Sequence, residues 1–275
     1  MGIEAAFVPL HTWLPDAHPA APTPVSAMLS GMVIEVGFYG VLRSLMTLFH
    51  GSSVVWRGVV IAVCLANMLL GNLSALTQSD VKRLLAFSSV AHIGYMALGL
   101  IASSEAALSA ALFLILSHAL SKGLAFLCSG SLSEAMGTRE ISALRGAWRS
   151  TPEAVAALTI SLLSLMGLPL TSGFAAKISL LSALFSGGFW WLGAIMLANV
   201  ILGAAAYLRL VSVLLRGDEP GTGVAVERPG RVEVAVLASM SALVIALGLW
   251  PSPVLSITSA AAGDLLDTSR YASAL

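Results

Sequence analysis

The 275-residue chain is 57% hydrophobic and only 10% charged, with 14 Lys plus Arg against 14 Asp plus Glu. Soluble domains carry roughly a quarter charged residues, so these few ions cannot cover a water-exposed surface, and the composition calls for lipid as the solvent. The balanced charge excludes a basic or acidic field that would attract nucleic acid. Cys64 and Cys128 lie in separate apolar stretches, and their spacing is not that of a metal site or a disulfide framework. We therefore interpret both cysteines as small buried hydrophobic residues.

The apolar runs predict about seven full transmembrane helices, because a span needs about 20 mostly apolar residues. Residues 1–13 look like the tail of a further, partial span, and the prolines that follow them prevent a continuous helix up to Pro24. The full spans are predicted at 24–49, 54–77, 83–103, 106–133, 152–187, 189–215 and 232–250. The predicted fold is an all-α polytopic bundle, with residues 1–263 as one membrane domain and 264–275 as a short polar tail.

The fifth predicted span is too long for one straight helix and should be broken near 167–173. Gly167, Pro169 and Gly173 lie in its middle, where proline removes a backbone donor and the glycines permit unwinding. Irregular backbone persists at membrane depth only where protein or water satisfies it. We therefore expect two half-helices around an irregular turn.

Basic residues predict the orientation of the chain. Lys and Arg concentrate in alternate connections, near residues 82–83, 139–149 and 216–231, which the positive-inside rule places in the cytoplasm. Arg43 and Arg57 depart from this pattern. We expect a multi-pass protein of the cell inner membrane with its C-terminus outside.

Several ionisable side chains lie inside the predicted spans, where a charge costs roughly 2.5–3.5 kcal/mol on insertion scales. These side chains are Glu35, His92, His118, Lys122 and Lys177. His118 and Lys122 are four residues apart and therefore share a helix face. A desolvated lysine can lose and regain a proton near neutral pH, whereas arginine cannot. The pattern indicates a proton relay with Lys122 at its centre.

Structural interpretations of the same residues stay open. A single buried histidine can be a hydrogen-bonded packing element, and Glu35 and Lys177 could form a fixed ion pair between helices. Lys82 sits at a span's end, where a snorkelling anchor is ordinary. His11 and His18 flank prolines without metal-ligand spacing and are interpreted, with the neighbouring Asp16, as polar groups of a loop.

Five motifs resemble the proton-translocating antiporter-like subunits of respiratory complex I, of membrane-bound hydrogenases and formate hydrogenlyase, and of Mrp-type cation/proton antiporters. They are PLHTWLPDAH at 9–18, APTPVSA at 21–27, DVKRLLAFSS at 80–89, SHALSKG at 117–123, and GLP at 167–169, which leads to Gly173, Phe174 and Lys177. The segment SGMVIEVGFYG at 30–40 is most similar to the hydrogenase-linked branch.

The resemblance implies two half-channels joined at midmembrane by a line of lysines, histidines and glutamates. The family pattern matches Lys82, His92, His118, Lys122 and Lys177 residue by residue. Glu4 and Glu35 depart from this pattern. The position of Glu4 is usually lysine in the family, and the position of Glu35 is lysine or histidine in many members. The resemblance therefore implies that proton uptake here uses these carboxylates or that the coupling is altered. Glu4 and Glu35 are both included in the predicted relay.

The resemblance further implies a proton-translocating membrane subunit of an oxidoreductase of the hydrogenase, formate hydrogenlyase or NADH–quinone type. Iron–sulfur, NiFe or flavin centres are expected only in partner subunits, because this chain has no cysteine cluster or phosphate loop. Expected partners are the bilayer, other membrane subunits, peripheral redox subunits, protons and possibly Na⁺. An Mrp-type Na⁺/H⁺ antiporter subunit and a truncated structural remnant stay open as alternatives, because members are commonly much longer and this chain resembles their C-terminal half.

Overall fold

The computed structural model describes residues 1–48, 53–216 and 229–267, and helices dominate all three ranges. The α-helices in these ranges are α1 (Trp13–Ala20), α2 (Thr23–Met28), α3 (Ile34–Leu48), α4 (Ser53–Thr77), α5 (Val81–Ala102), α6 (Glu105–Met136), α7 (Ala147–Ser150), α8 (Pro152–Met166), α9 (Ser172–Ser186), α10 (Trp190–Leu214), α11 (Arg231–Leu249) and α12 (Ser252–Leu266). A π-helical segment, Leu29–Val33, joins α2 to α3, and a 3₁₀ turn, Ile141–Leu144, precedes α7. Arg228 and the predicted tail beyond Asp267 lie outside the described residues.

Within the described ranges, six helical stretches are long and apolar enough to cross a membrane. They comprise the continuous helix from α2 to α3, then α4, α5, α6, α10 and α11. The shorter apolar helices α8 and α9 together supply the seventh crossing, interrupted at residues 167–171. The all-α polytopic bundle and its broken helix are thereby confirmed.

Both ends of the described chain differ from the prediction. Residues 1–12 form a series of turns instead of the end of a regular helix, and the proline-rich stretch after them makes two short helices separated by extended backbone at Ala21. At the other end, α12 was not predicted and runs into the segment assigned to the polar tail. Its 15 residues are too few for a span, so a search for long apolar runs passes over them.

α5 lies at the centre of the bundle. Its most apolar stretch is 94% buried, the largest share of the six candidate spans in the described residues. α4 and α6 pack against it, and α6 in turn packs against α8, α9 and α12. Because both faces of α5 meet protein, its polar side chains lie inside the bundle instead of facing lipid.

The connections between helices define two sides of the bundle. The α4–α5 and α6–α7 connections lie together, because the Val81 amide donates to the Arg139 carbonyl at 3.1 Å and the Ile141 amide donates to the Ser79 carbonyl at 2.8 Å. Arg209, near the end of α10, donates to the Gln78 carbonyl of the same surface. We call this the basic side. The α5–α6, α9–α10 and α11–α12 connections lie at the other end, the opposite side.

Candidate functional site

Glu35 lies in the first turn of α3, directly after the π-helical segment Leu29–Val33. A π turn adds a residue to the helical register and redirects the side chains that follow it, which is why such turns often occur at functional sites. The Glu35 carboxylate is 5% exposed and hydrogen-bonded to Nδ1 of His118 in α6. Ser30 and Ser89 join the π segment to α5 through hydroxyls 2.8 Å apart.

The rings of His118 and His92 lie beside each other between α6 and α5. Their centroids are 4.9 Å apart and their planes are inclined by 31°. His92 faces two carbonyl oxygens, with Nδ1 2.8 Å from the Ser88 oxygen and Nε2 3.2 Å from the Leu165 oxygen. Neutral imidazole has a single N–H, so it donates to one of these carbonyls at a time, and an added proton would make the second bond.

Lys122 is fully buried in the middle of α6, one helical turn from His118. Its ammonium donates to the Leu85 carbonyl at 2.7 Å and to the Ser88 hydroxyl, both on α5. Ser88 therefore contacts Lys122 through its hydroxyl and His92 through its carbonyl. This arrangement places Lys122 and His92 on either side of one serine.

The broken helix supplies the next contact. α8 ends at Met166 and is capped by Gly167, whose backbone is left-handed with φ 82°, a conformation that favours glycine. The carbonyls in the last turn of a helix lack helical donors and carry partial negative charge. One of them, the Leu165 carbonyl, accepts a hydrogen bond from Lys177 of α9 and lies 3.2 Å from Nε2 of His92, which donates to it when that nitrogen carries the proton. The break thus creates an acceptor shared by two titratable side chains.

Tyr95 and a serine cluster hold the break in place. The Lys177 ammonium lies 5.3 Å from the centre of the Tyr95 ring, and the same ring meets His92 edge-on at 5.3 Å. On α6, Ser117 contacts Ser172 and Ser121 contacts Ser164, with hydroxyl distances of 2.8 and 2.9 Å. These contacts attach both half-helices to α6 and so fix Lys177 relative to His92.

Lys82 lies at the basic side, at the start of α5, and is 4% exposed. Its ammonium donates to the Ala21 carbonyl at 3.0 Å, so it is a buried and bonded group instead of a freely exposed anchor. It borders a cavity of about 450 Å³ that opens toward the basic side. We call this the Lys82 cavity; its polar lining comprises Thr23, Lys82, Ser133, Glu134, Thr138 and Arg139.

A second and larger cavity lies at the opposite side, between α6, α9 and α12. Its volume is about 840 Å³, and we call it the serine cavity because its polar lining is Ser104, Ser109, Ser179, Ser182, Ser186 and Ser259. Lys177 itself borders a small cavity of about 100 Å³ that shares Ile178 with the serine cavity. Lys177 is therefore the relay residue closest in the fold to this opening.

The structure brings together five of the seven predicted relay residues, Glu35, His92, His118, Lys122 and Lys177, and places Lys82 at their basic end. Glu35 pairs with His118 and not with Lys177, so the interpretation of a fixed Glu35–Lys177 pair is not supported. Glu4 stays apart, with a 61% exposed side chain paired to the Met1 amino group. His18, interpreted from the sequence as a loop group, is fully buried in α1 beside α6.

The buried charges are unbalanced. Among the buried residues of the described ranges, Glu35 is the one acidic side chain, whereas Lys82, Lys122 and Lys177 are all basic. Unpaired buried charge is costly, and Lys122 interacts electrostatically with both Glu35 and Lys177. A proton added at one of these groups therefore changes the energy of protonating the others.

Comparison with known proteins identifies the family of the chain. Residues 1–203 match the family model described as NADH:quinone oxidoreductase/Mrp antiporter, TM. The chain belongs to this family. Membership in the NADH:quinone oxidoreductase/Mrp antiporter family confirms the resemblance inferred from the motifs, while the assignment to a hydrogenase-linked branch stays a prediction.

Curated members of the family match nearly the whole chain. NADH-quinone oxidoreductase subunit M of Rickettsia prowazekii (strain Madrid E) is 34% identical over 265 residues, which are 96% of this chain and 54% of the relative. NADH-quinone oxidoreductase subunit N 1 of Solibacter usitatus (strain Ellin6076) is 36% identical over 268 residues, 96% of this chain and 55% of the relative. The chain spans about half the length of these curated relatives.

A solved structure shows the same fold. A chain in the structure of the Mrp complex from Dietzia sp. DQ12-45-1b superposes with a TM-score of 0.90 at 28% sequence identity. The match covers 98% of this chain and 58% of that chain. The helical architecture is therefore that of the family.

Proposed function

We propose that this chain is the proton-carrying part of a membrane subunit in an energy-converting oxidoreductase. The observation that carries the proposal is a series of buried titratable side chains between two polar cavities on opposite sides of the bundle. From the basic side, the series runs through Lys82, Lys122, the His118–Glu35 pair and His92 to Lys177.

The contacts within the series suit proton transfer. Lys122 and His92 share Ser88, His92 and His118 have adjacent rings, and His92 and Lys177 share the Leu165 carbonyl. The lysine and histidine side chains in these contacts can each hold a proton in one state and lack it in another. A purely structural network would use groups with fixed charge. A redox event in a partner subunit would drive the series by changing charge or hydration near one end.

The described residues favour protons over sodium as the transported ion. Na⁺ is a hard cation that is bound by oxygen ligands. The series consists mainly of lysine amines and histidine imidazoles, whose nitrogens bind protons instead.

The setting of the subunit is part of the proposal. The basic connections support a cytoplasmic location for the basic side of an inner-membrane protein, with α12 and the C-terminus on the outer side. The names of the relatives, which are subunits of NADH-quinone oxidoreductase, support assembly with other membrane subunits. As a further part of the proposal, peripheral partner subunits carry the iron–sulfur, NiFe or flavin centres. Lys82 would then take protons from the cytoplasm and Lys177 would release them through the serine cavity.

The proposal is tested with Lys122→Met, which keeps the length of the side chain but removes its proton. Inside-out vesicles from the native organism are supplied with NADH, and acidification is followed with a fluorescent amine. We expect at least about a 100-fold lower acidification rate in the variant, the usual scale for loss of a proton-transferring group. Leu116→Met, at a lipid-facing position of α6, is the matched control.

The rival function has its own readout in the same vesicles. The likeness to the Mrp complex favours an Na⁺/H⁺ antiporter subunit as the second candidate. If a pulse of Na⁺ collapses a gradient set up by ATP, and Lys122→Met abolishes that collapse while NADH-driven acidification is unchanged, the antiporter assignment replaces the oxidoreductase one. Wild-type behaviour of Lys122→Met in both assays contradicts a proton-carrying role altogether.

A further inference from the structure

His18 is a buried histidine that the relay described above does not use. It lies near the end of α1 and has no exposed surface. Its ring stacks on Phe126 of α6, with centroids 4.4 Å apart and planes inclined by 18°. Among the residues that the structure describes, neither of its ring nitrogens has a hydrogen-bond partner. A buried polar group left without a partner costs about 1–3 kcal/mol, so this position calls for a functional reason or for water.

The chain segment that carries His18 borders the Lys82 cavity. Lys82 donates to the Ala21 carbonyl, Arg139 donates to the Pro19 carbonyl, and the Ser26 hydroxyl donates to the carbonyl of His18 itself at 3.0 Å. Lys82 and Arg139 both line that cavity. The end of α1 is thus held by the same cations that surround the opening on the basic side.

On its other side His18 contacts the face of α6 that carries Lys122. Phe126, on which the imidazole stacks, is four residues after Lys122 in α6, and residues four apart lie on the same helix face. The charged groups that act on His18 are Lys122 and Lys82. His18 therefore lies between the lysine at the cavity and the lysine at the centre of the bundle.

This placement fills a gap in the series. The hydrogen bonds of Lys82 go to Ala21, and those of Lys122 go to Leu85 and Ser88, so no described contact joins the two lysines. We propose that His18 transfers protons between water in the Lys82 cavity and Lys122. The proposal rests on the proposed function and adds its entry step.

The step is a simple proton exchange. Hydronium in the water of the Lys82 cavity gives a proton to one ring nitrogen and becomes water, and the imidazole becomes imidazolium. The proton on the other nitrogen then passes to the neutral amine of Lys122, which becomes ammonium, and His18 returns to the neutral form. Stacking on Phe126 keeps the ring plane fixed while both nitrogens stay free for the exchange.

The first experiment compares His18→Gln and His18→Phe in the native complex. Glutamine can bond to water but cannot carry a proton, whereas phenylalanine keeps the stacking on Phe126 without any polar atom. We expect both variants to lower vesicle acidification at least tenfold while the complex assembles in wild-type amounts on native gels. His11→Gln, at the half-exposed histidine earlier in the same segment, is the control and should acidify at the wild-type rate. A wild-type rate for His18→Gln overturns the proposal.

The second experiment measures whether water reaches position 18, and its result does not depend on proton pumping. In a Cys64→Ala, Cys128→Ala background, His18→Cys is treated with a membrane-impermeant maleimide from each side of the membrane. We expect labelling from the basic side only, and none for Leu14→Cys, a buried apolar position of the same helix. If His18→Cys is labelled no more than Leu14→Cys, the entry role is overturned while the proposed function stands. If wild-type vesicles build no gradient under any energisation, the proposed function fails, and with it this role for His18, whatever the labelling shows.

Discussion

α5 and α11 have similar hydropathy but different surroundings. The most apolar stretch of α5 has a mean hydropathy of 1.8 and is 94% buried in the protein, whereas that of α11 has a mean hydropathy of 2.2 and is 17% buried. Hydropathy reports that a helix avoids water, and both lipid and protein satisfy that requirement. The difference lies in the polar residues, since α5 carries Lys82, Ser88 and His92 along its length, whereas α11 has charges only in its first turn. Buried polar groups, and not apolar content, mark the centre of this bundle.

Leucine truncations at matched positions test this contrast most strongly. Leu100→Ala in α5 removes a fully buried side chain and should destabilise the protein by about 2–5 kcal/mol through the cavity it leaves. Leu243 in α11 is 44% exposed, and lipid can fill the space that Leu243→Ala leaves. We therefore expect Leu243→Ala to destabilise the protein by less than about 1 kcal/mol. Unfolding of the purified subunit by denaturant in mixed micelles measures both. Equal losses would contradict the central position of α5.

The break between α8 and α9 provides the next contrast. A β-carbon at Gly173 would lie 1.9 Å from the Ser164 carbonyl oxygen, so Gly173→Ala should destabilise the protein by about 1–3 kcal/mol or more. Gly263→Ala in the peripheral α12 meets open space and should be neutral or stabilising by up to about 1 kcal/mol. The same unfolding assay reads both variants. If Gly173→Ala leaves the free energy of unfolding unchanged, the two half-helices are not packed closely against each other.

Two glutamates, one inside the bundle and one at its periphery, should differ in their effect on proton transport. Glu35→Gln keeps the shape of the side chain that meets His118 but removes the carboxylate, and we expect at least about a tenfold lower rate of vesicle acidification, consistent with loss of a proton-transferring group. Glu233→Gln, in the first turn of α11, should change the rate less than twofold. Acidification by Glu35→Gln at the wild-type rate would show that Glu35 has only a packing role.

The smallest predicted effect concerns Tyr95. Its hydroxyl accepts a hydrogen bond from Asn72 at 2.9 Å, while its ring faces Lys177. Tyr95→Phe keeps the ring and should lower acidification less than about threefold, whereas Tyr95→Leu removes a cation–π contact worth about 0.5–2 kcal/mol and should lower it further. Matching rates for the two variants would indicate that the ring does not hold Lys177.

Much of the candidate site followed from single residues. A lysine or glutamate in the middle of an apolar run is unusual enough to be noticed without any structure, and this applies to Glu35, Lys122 and Lys177. Helical spacing placed His118 beside Lys122, and the glycines and proline at 167–173 marked the break correctly. These features depend on local chemistry, so the sequence contains them directly.

His18 shows where this reasoning failed. Prolines on its flanks indicated a loop, and loop histidines are usually solvated, yet α1 packs against α5 and the His18 ring is buried against Phe126 of α6. α12 was missed for a related reason, since its docking on α6 through Thr258 and Ser109 joins residues distant in sequence. No local pattern reports a contact of that kind.

The sequence by itself determined that this is a membrane protein, how many membrane crossings to expect, where one helix breaks and which ionisable side chains lie inside the spans. These properties follow from hydropathy, helical period and the cost of burying charge, all of which act over short stretches of chain. Only the tertiary structure decided that the Leu165 carbonyl serves both His92 and Lys177, that Glu35 pairs with His118, and that His18 stacks on Phe126. Each of these contacts joins different helices, so it depends on how the helices pack and not on the residues that precede or follow it.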